Sequence, residues 1–575
     1  MNIFERFEAV VAGVVDEMVV DGSIPAEAAA RATIVLEPPR DSAHGDMASN
    51  AAMALSKSAK LKPRELATRM AMALARHPDI ATAEVAGPGF INLRLERTVW
   101  ENELRTMLAA GDNYGRGAAR PQQLPINVEY VSANPTGQMH MGHCRGAVVG
   151  DALASLLQFH GSAVVREYYV NDAGGQVDVL ARSVHLRYRE ALGETVEIPE
   201  GLYPGDYLVP VGAALAAEFG GQFQLAPEAV WLALFRSRAV EAMLDLIRAD
   251  LALLGIHHDV FSSEAAIQAS GAVEAAEADL RARDLVYQGT LPPPKGETSD
   301  DWEPVELPLF RSTRYGDDID RPIRKSSGQW TYFGADMAYH AEKASRSSAL
   351  VNIWGADHAG TVKRIEAAVE ALTHGRVSLD VRLVQMVRLF RAGEPVKMSK
   401  RSGNFVTLAD VVHEVGRDVV RFMMLTKRSE APLDFDFAHV VEQSRENPVF
   451  YVHYAHARIQ SVLRKAGDMA LPEVPPLERL DDGELALVQL AAQWPRIVGQ
   501  AATAREPHRI AFFLADLAGA FHTLWNRGND DPAHRLIIAD DVGLTAARLA
   551  LARATAGVIR TALGVMGVAA ADELR

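Results

Sequence analysis

The chain has 575 residues with 59 Lys and Arg against 74 Asp and Glu, which gives a formal net charge of −15 with neutral histidines. This length predicts about three or four domains, and the acidic excess argues against indiscriminate nucleic-acid binding. Cys144 is the only cysteine, which excludes disulfides within the chain and Cys-based metal clusters. We therefore expect a reducing compartment, the cytoplasm by default, and no structural metal.

Membrane insertion is not indicated by the hydropathy pattern. No segment reaches the roughly 18 uncharged apolar residues that a membrane-spanning helix requires. The N-terminal segment carries Glu5, Glu8, Asp16 and Glu17 among its apolar positions. This pattern is typical of an amphipathic surface helix rather than of a signal peptide.

Residues 1–115 predict a separate α/β module. Helical periodicity runs through 1–20 and 63–75, and GPGFINLRL at 87–95 predicts a turn that leads into a short strand. The Gly- and Pro-rich stretch GRGAARPQQLP at 115–125 is typical of a linker.

The pattern over residues 121–440 predicts a Rossmann-type domain with a parallel sheet. A buried-strand pattern begins at 126 and ends in a turn, and a helix over 142–159 and a second strand pattern over 163–172 follow it. Strand patterns return at 349–355 and 380–390. We expect a mostly helical insertion over about 175–300.

Residues 441–575 predict an all-α domain. The pattern from Asn447 onward is helical and rich in Ala and Leu, with polar breaks at 472–484 and 526–535. A helical bundle is the natural interpretation.

The sequence NPTGQMHMGH, residues 134–143, lies at a predicted junction between a strand and a helix. A helix N-terminus presents unpaired N–H groups and positive dipole to an anion. His140 and His143 would face a bound phosphate there, and Gly142 would leave room for a close approach. Taken alone, a His-x-x-His pattern is more often a metal pair or an ordinary polar start of a helix.

The second motif is the basic sequence KMSKRSGN at 397–404. Three cations within five residues, between glycines at 393 and 403, predict a mobile basic loop over 393–404. Such a loop can neutralise the charge of a pyrophosphate leaving group. Taken alone, a basic loop is usually a solvated turn, although two of the eleven lysines of the chain lie in this one.

Together the two motifs resemble the paired nucleotide-binding motifs of class I aminoacyl-tRNA synthetases. His140-Met141-Gly142-His143 resembles the first, and Lys397–Arg401 matches the second in full. Segments throughout the chain resemble arginyl-tRNA synthetases in particular, among them VEYVSANPTGQMHMGHCRGAVVGDALA, YVNDAGGQVDVLA, YPGDYL, YFGADMAYH, IWGADHAG and NPVFYVHYAHARIQSV. The likeness therefore covers essentially the whole chain.

The resemblance implies ATP-dependent attachment of L-arginine to its tRNA through an arginyl-adenylate, with release of AMP and pyrophosphate. It implies ATP with Mg²⁺ as co-substrate, a monomer, and amino-acid activation only when the tRNA is present. It also implies roles for the three parts. Residues 1–115 would bind the outer corner of the tRNA, 121–440 would form the class I catalytic domain, and 441–575 would bind the anticodon.

The resemblance also assigns the catalytic positions. His140 and His143 would donate hydrogen bonds to the α-phosphate, while Lys397 and Lys400 would hold the leaving pyrophosphate. Ser399 would add a hydroxyl donor or simply fit the turn. The expected ATP-binding residues are Gly142, Gly355, Asp357, His358, Met398 and Ser399, and His358 is equally well explained as a buried structural histidine.

Arginine recognition requires acceptors, because a guanidinium offers five N–H donors and accepts nothing. Tyr332 and Asp336 are four residues apart, so a helix would place them on one face, and Asp336 could form a bidentate pair. The resemblance assigns both to the arginine side chain. It also assigns Glu129, Ser132, Asn134 and His143 to the polar groups of the substrate.

The resemblance places tRNA contacts in both terminal domains. Phe90 and Asn92 match positions that stack on a tRNA base and read its edge. The C-terminal candidates are Tyr451, Tyr454, Arg458 and Trp525. Phe90 is equally well explained as a core residue, and the spacing of Tyr451, Tyr454 and Arg458 is more often that of a core stripe.

The sequence motifs leave two alternative interpretations. A cysteinyl or glutaminyl synthetase would share both phosphate motifs, although a single cysteine argues against the zinc site of the first, and the acidic residues Asp336 and Glu129 argue against glutamine. A tRNA-binding protein that has lost catalysis is the other alternative, and the intact His140, His143, Lys397 and Lys400 argue against it.

Overall fold

The computed structural model confirms the predicted α/β class, with an N-terminal α/β part, a central part built on a parallel sheet, and a C-terminal helical part. The residues that it describes are 2–30, 33–39, 41–291, 305–396, 406–467 and 469–573.

The N-terminal part packs helices on one face of a four-stranded antiparallel sheet in the order β1-β2-β4-β3. Asn2 caps the first helix, and its side chain and that of Glu5 each accept a hydrogen bond from the backbone of the other. The helices are α1 (Ile3–Val20), α2 (Ala26–Ala29), α3 (Ala51–Ala59), α4 (Pro63–Leu74) and α5 (Arg97–Ala110), and the strands are β1 (Leu36–Glu37), β2 (Met47–Ser49), β3 (Ile80–Ala86) and β4 (Phe90–Leu95).

The central part is organised around a five-stranded parallel sheet in the order β12-β11-β5-β6-β7. The inner strands are the more deeply buried ones, and Leu350–Ile353 form one continuous buried run. The strands of the central part are β5 (Ile126–Glu129), β6 (Val164–Val170), β7 (Val260–Ser263), β8 (Val286–Gly289), β9 (Leu307–Phe310), β10 (Arg321–Pro322), β11 (Ala349–Gly355), β12 (Ser378–Val384), β13 (Val387–Arg391), β14 (Glu394–Pro395) and β15 (Leu433–Asp436). Two further three-stranded sheets are formed by β8 to β10 and by β13 to β15.

Helices cover both faces of this sheet. They are α6 (Met141–Phe159), α7 (Gly175–Ala191), α8 (Val209–Phe219), α9 (Glu228–Leu253), α10 (Glu264–Ala269), α11 (Ala272–Ala282), α12 (Tyr332–Ser345), α13 (Val362–Thr373), α14 (Leu408–Val415) and α15 (Arg417–Met424).

The structure refines two of the sequence predictions. The described part of the expected insertion over 175–300 is mostly helical, but it also supplies β7, which pairs with β6 at the edge of the main sheet. The run predicted over 380–390 consists of two strands, β12 and β13, in different sheets. The run is interrupted at Gln385, because its N–H bonds to the Ser429 carbonyl at 2.8 Å instead of continuing a sheet.

The C-terminal part is helical, with α16 (Pro448–Lys465), α17 (Asp482–Ala491), α18 (Trp494–Ala504), α19 (His508–Asp530) and α20 (Val542–Val565). Among the described residues, α20 alone is long and apolar enough to cross a membrane by length and composition. Within the fold, 72% of its most apolar window is buried against the rest of the protein. A helix in the core of a globular protein passes the same test of length and composition.

Trp494 joins the three parts of the molecule. Its side chain is fully buried, and its indole N–H donates to the Tyr114 carbonyl at 3.1 Å. The ring also packs beside Phe159 at the end of α6. Gly115 lies under this ring with φ +84°, where a Cβ atom would approach the indole to 2.6 Å. The predicted linker over 115–125 therefore begins at a residue that is packed against Trp494, and not as a free connection.

Arg421 on α15 is the second junction. The side chain is fully buried, and its guanidinium donates to Asp151 Oδ2 at 2.6 Å and to the Leu254 and Met566 carbonyls at 2.9 Å each. These partners belong to α6, to the end of α9 and to the end of α20 respectively. One charged side chain therefore holds the central sheet domain against the C-terminal helices.

We expect Arg421→Met to destabilise the protein by about 3–5 kcal/mol, because it leaves the carboxylate of Asp151 buried without its principal cation. Arg388→Met is the matched control, since Arg388 is largely exposed and pairs with Asp434 at the surface, where such pairs contribute little. Urea unfolding of both variants measures the difference, and equal midpoints would contradict the assigned role.

Candidate active site

The parallel sheet places a crevice between the carboxyl ends of β5 and β11. The chain passes from β5 to β6 and β7 on one side and from β11 to β12 on the other. Ligands of open α/β sheets bind where the strand order reverses in this way. Two sequence segments lie at these carboxyl ends, NPTGQMHMGH after β5 and GADH after β11.

The loop between β5 and α6 is held in an unusual conformation. Val131 and Ser132 have φ values of +72° and +41°, which non-glycine residues rarely adopt. Surrounding hydrogen bonds fix the loop, from Tyr168 Oη to the Ala133 carbonyl at 2.7 Å and from the Met139 N–H to Asp250 at 2.8 Å. Such strain persists only where the surroundings determine it, and it clusters at functional sites.

His140 and His143 lie together at the start of α6, with stacked rings whose centroids are 3.9 Å apart. Nδ1 of His140 accepts the Gly142 N–H at 3.0 Å, and Nδ1 of His143 accepts the His140 N–H at 3.4 Å. An accepting Nδ1 places the proton of a neutral ring on Nε2. Both rings are therefore set as donors at a helix N-terminus.

The second motif lies outside the described residues, and with it Lys397, Met398, Ser399 and Lys400. Its C-terminal flank is described and reaches the first motif. Thr407 pairs with His140 as an isolated β-bridge, and the Leu408 N–H donates to the Met139 carbonyl at 3.0 Å.

The segment after β11 is open to solvent. Asp357 and His358 are largely exposed, with a carboxylate and an imidazole nitrogen 3.6 Å apart. Gly355 makes the turn, because a Cβ atom at this position would lie 2.4 Å from Asp357 Oδ1. The exposure of His358 argues against a buried structural role.

Asp336 lies on α12 in an acidic environment. Burial and the carboxylates of Glu129 and Glu264 raise the pKa of Asp336 to about 7, although Arg364 and Lys343 oppose that rise. The pKa of Glu264 is also raised, chiefly by burial. The region is therefore prepared to receive a cation. Tyr332, at the first residue of α12, is 69% exposed.

Glu129, at the end of β5, has partners at both carboxylate oxygens. Oε2 accepts from Lys343 Nζ at 2.5 Å, and Oε1 accepts from Ser132 Oγ at 3.1 Å. Ser132 Oγ also accepts the Tyr169 N–H at 3.0 Å, and Asn134 donates to Gln176 at 2.9 Å. Glu129 and Ser132 therefore form one connected group, whereas Asn134 lies toward α7.

Sequence reasoning missed Lys343 and Glu264. Lys343 is fully buried and Glu264 nearly so. Lys343 stands on the same helix as Asp336, and lysine is scarce in this chain, so a lysine within the apolar pattern of a helix was the available signal. Glu264 carried no signal, because only β7 brings it to the sheet.

The candidate tRNA-binding residues fall into two separate groups. On β4, Phe90 and Asn92 alternate with the buried Ile91 and Leu93, and Phe90 is 39% exposed. This placement argues against the interpretation of Phe90 as a core residue.

The C-terminal candidates form a cluster between α16 and α19. The Arg458 guanidinium carbon lies 3.9 Å from the Tyr454 ring centroid and 5.0 Å from that of Trp525. Tyr451 packs against His522, and its carbonyl contacts His522 Nε2 at 3.0 Å. All four candidate side chains are half-buried, so the cluster contributes in part to the packing of α16 against α19.

In the part of the chain that the structure describes, no group of three or more His, Cys, Asp or Glu residues is arranged to hold a metal ion.

Comparisons with known proteins cover all three parts of the chain. Residues 5–95 match the arginyl tRNA synthetase N terminal domain, residues 103–202 the catalytic domain of class I (R) tRNA synthetases, and residues 452–574 the DALR anticodon binding domain. A Novosphingobium aromaticivorans protein named arginine–tRNA ligase is 63% identical over 579 residues, covering 100% of this chain and 99% of that protein.

The chain belongs to the arginyl-tRNA synthetase family. The arginine–tRNA ligase of Paracoccus denitrificans is 55% identical over 583 residues that cover both chains completely. The Thermus thermophilus arginyl-tRNA synthetase structure shares the fold, with a TM-score of 0.75, 21% identity and complete coverage of both chains. The resemblance inferred from sequence is thus confirmed, and it excludes the cysteinyl and glutaminyl alternatives.

Gly142 offers a test of the histidine geometry in this arginyl-tRNA synthetase. A Cβ atom here would lie 2.7 Å from the His140 ring, so Gly142→Ala must displace that ring. We expect a loss of about 100-fold in amino-acid activation, the scale of an ångström of misplacement at a reacting centre.

Gly146→Ala is the matched control, because nothing lies within 4 Å of a Cβ atom at this position on the same helix. Pre-steady-state measurement of adenylate formation compares the two variants. Normal activation by Gly142→Ala would show that the position of the His140 ring is not important.

Proposed function

We propose that the chain joins L-arginine to its tRNA by the two-step class I route, through an arginyl-adenylate. Its family membership establishes it as an arginine–tRNA ligase. The observation that carries the proposed route is that one loop, from the end of β5 to the start of α6, has Glu129 of the carboxyl cluster at one end and two histidine donors at the other.

The first step is attack of the arginine carboxylate on the α-phosphate of Mg-ATP, with pyrophosphate leaving. Catalysis of this kind depends on positioning and on stabilising charge. His140 and His143 would donate from Nε2 to α-phosphate oxygens, supported by the N-terminus of α6. Lys397 and Lys400 would neutralise the departing pyrophosphate, and Ser399 would add a hydroxyl donor. The pairing of Thr407 with His140 supports this, because it returns the chain to the histidines.

Arginine would lie with its guanidinium toward Asp336 and Glu264 and its polar end toward Glu129, Ser132 and Asn134. The mutual repulsion of these carboxyls in the empty site is relieved when a cation binds between them. Tyr332, on the exposed first turn of the same helix, would close over the side chain of the substrate. Lysine lacks the planar fork of donors, so it would leave acceptors unpaired, which costs about 1–3 kcal/mol for each group.

The adenosine of ATP would lie along the exposed segment after β11, on Gly355, Asp357 and His358. Gly142 would leave space for the nucleotide beside His140, and Met398 would cover it from the basic loop. The position of both segments at the carboxyl edge of the sheet supports this placement.

The tRNA would contact both terminal domains. We propose residues 1–115 as the module for the outer corner, with Phe90 stacking on a base and Asn92 reading its edge. Residues 121–440 would be the catalytic domain, and residues 441–575 would bind the anticodon with Tyr451, Tyr454, Arg458 and Trp525. We further propose a cytoplasmic monomer that is not associated with a membrane.

The decisive experiment is ATP–pyrophosphate exchange with each amino acid, with and without arginine tRNA. We expect exchange with arginine alone and only when the tRNA is present. Exchange without tRNA would contradict the expected coupling of the two substrates. No exchange under any condition would reject the adenylate route.

Arginine binding should also depend on pH through Asp336. Its raised pKa of about 7 means that the carboxyl is protonated below that pH and must release a proton to accept a guanidinium. We therefore expect the arginine Kd to rise roughly tenfold between about pH 8 and about pH 6. The groups that face Asp336 are Glu129, Glu264, Arg364 and Lys343.

Asp336→Asn should remove this pH dependence and weaken arginine binding by about 100-fold while leaving ATP binding nearly unchanged. Asp318→Asn is the control, because Asp318 is exposed and pairs with Lys363. Calorimetric titration with arginine gives both results, and a pH dependence that persists in Asp336→Asn would reject the assignment.

A further inference from the structure

Lys343 is a buried cation within the candidate arginine site. Its side chain is fully buried, and its ammonium donates to Glu129 on β5 at 2.5 Å and to Asn352 Oδ1 on β11 at 2.7 Å. The Tyr339 ring, one turn back on α12, covers it with the centroid 4.6 Å from Nζ. Lys343 therefore spans the two strands that flank the crevice.

The hydrogen bonds beyond Asn352 have a fixed direction. His340 Nδ1 lies 2.8 Å from the Asp336 carbonyl, which can only accept, so Nδ1 carries the proton. Nε2 of the neutral ring then accepts from the Asn352 amide at 2.8 Å, which leaves Asn352 Oδ1 to accept from Lys343. Each link from the Asp336 carbonyl to Glu129 therefore joins a donor to an acceptor.

This arrangement links the carboxylate of Glu129 to the backbone carbonyl of Asp336. Glu129 is held by Lys343, and the backbone of Asp336 is held by His340. A buried carboxylate without a cation would protonate or turn away. Lys343 supplies that cation from a position about two helical turns along α12 from Asp336, toward which the guanidinium would bind.

We propose that Lys343 is a positioning residue for arginine, which holds the Glu129 carboxylate in a fixed orientation toward the substrate through a buried ion pair. This inference rests on the proposed role of Glu129 as an arginine ligand. It extends that role by naming the group on which the role depends.

A double-mutant cycle tests the proposal in the full-length protein, with Glu129→Gln, Lys343→Met and the double variant. The double variant removes both charges, and such replacements are tolerated better than one unpaired charge. Arginine and ATP binding are each measured by calorimetry, and thermal unfolding reports folding.

We expect Glu129→Gln and Lys343→Met each to weaken arginine binding by about tenfold or more. The double variant should bind arginine no more weakly than Glu129→Gln alone, because Lys343 acts through Glu129. ATP binding should change by no more than about twofold in all three variants. Should Lys343→Met alone fail to fold, the comparison of Glu129→Gln with the double variant still decides whether Lys343 acts through Glu129.

Two other outcomes have distinct meanings. Independent losses that multiply in the double variant would overturn the positioning role of Lys343 and leave the role of Glu129 intact. Unchanged arginine binding by Glu129→Gln would instead reject the proposed ligand, and with it the inference.

Lys363→Met is the matched control for the loss of a lysine. Lys363 lies on α13 with its ammonium 2.9 Å from Asp318 at an exposed position. The same chemical change there should leave arginine binding unaltered. A loss equal to that of Lys343→Met would show that the effect depends on net charge alone.

Discussion

The ion pair between Asp151 and Arg421 is the contact on which the arrangement of the molecule depends. Asp151 lies on α6, the helix whose N-terminus carries His140 and His143, and its other oxygen lies 3.3 Å from both Tyr130 Oη and Arg166 Nε. A fully buried guanidinium is stable only if its donors are matched. The carbonyls that match them come from the ends of α9 and α20, so α6 and the C-terminal helices are fixed to each other.

A second constraint is the charge of the proposed arginine site. Burial and the carboxylates of Glu129 and Glu264 raise the pKa of Asp336, and Arg364 and Lys343 offset only part of that rise. An acidic pocket with insufficient positive charge of its own favours a cationic substrate.

The sequence predicted much of the secondary structure because its signals were local. The helices α1 and α4, strand β4 and the unit β5-α6-β6 follow from periodicity and turn residues within single segments. The strand β7 was missed inside a helical stretch, because four residues that pair only at a sheet edge carry little pattern of their own. The break at Gln385 was missed for the same reason, since the bond that causes it comes from Ser429.

The sequence by itself determined the family, the order of the three parts and the residue types of the two phosphate motifs, because motif spacing and periodicity are properties of the chain alone. Only the tertiary structure decided which groups meet. The contacts of Glu129 with Lys343 and of Asp151 with Arg421 join residues more than 200 positions apart. Buried charges are stable only where partners surround them in space. A local sequence pattern does not show which distant residues those partners are.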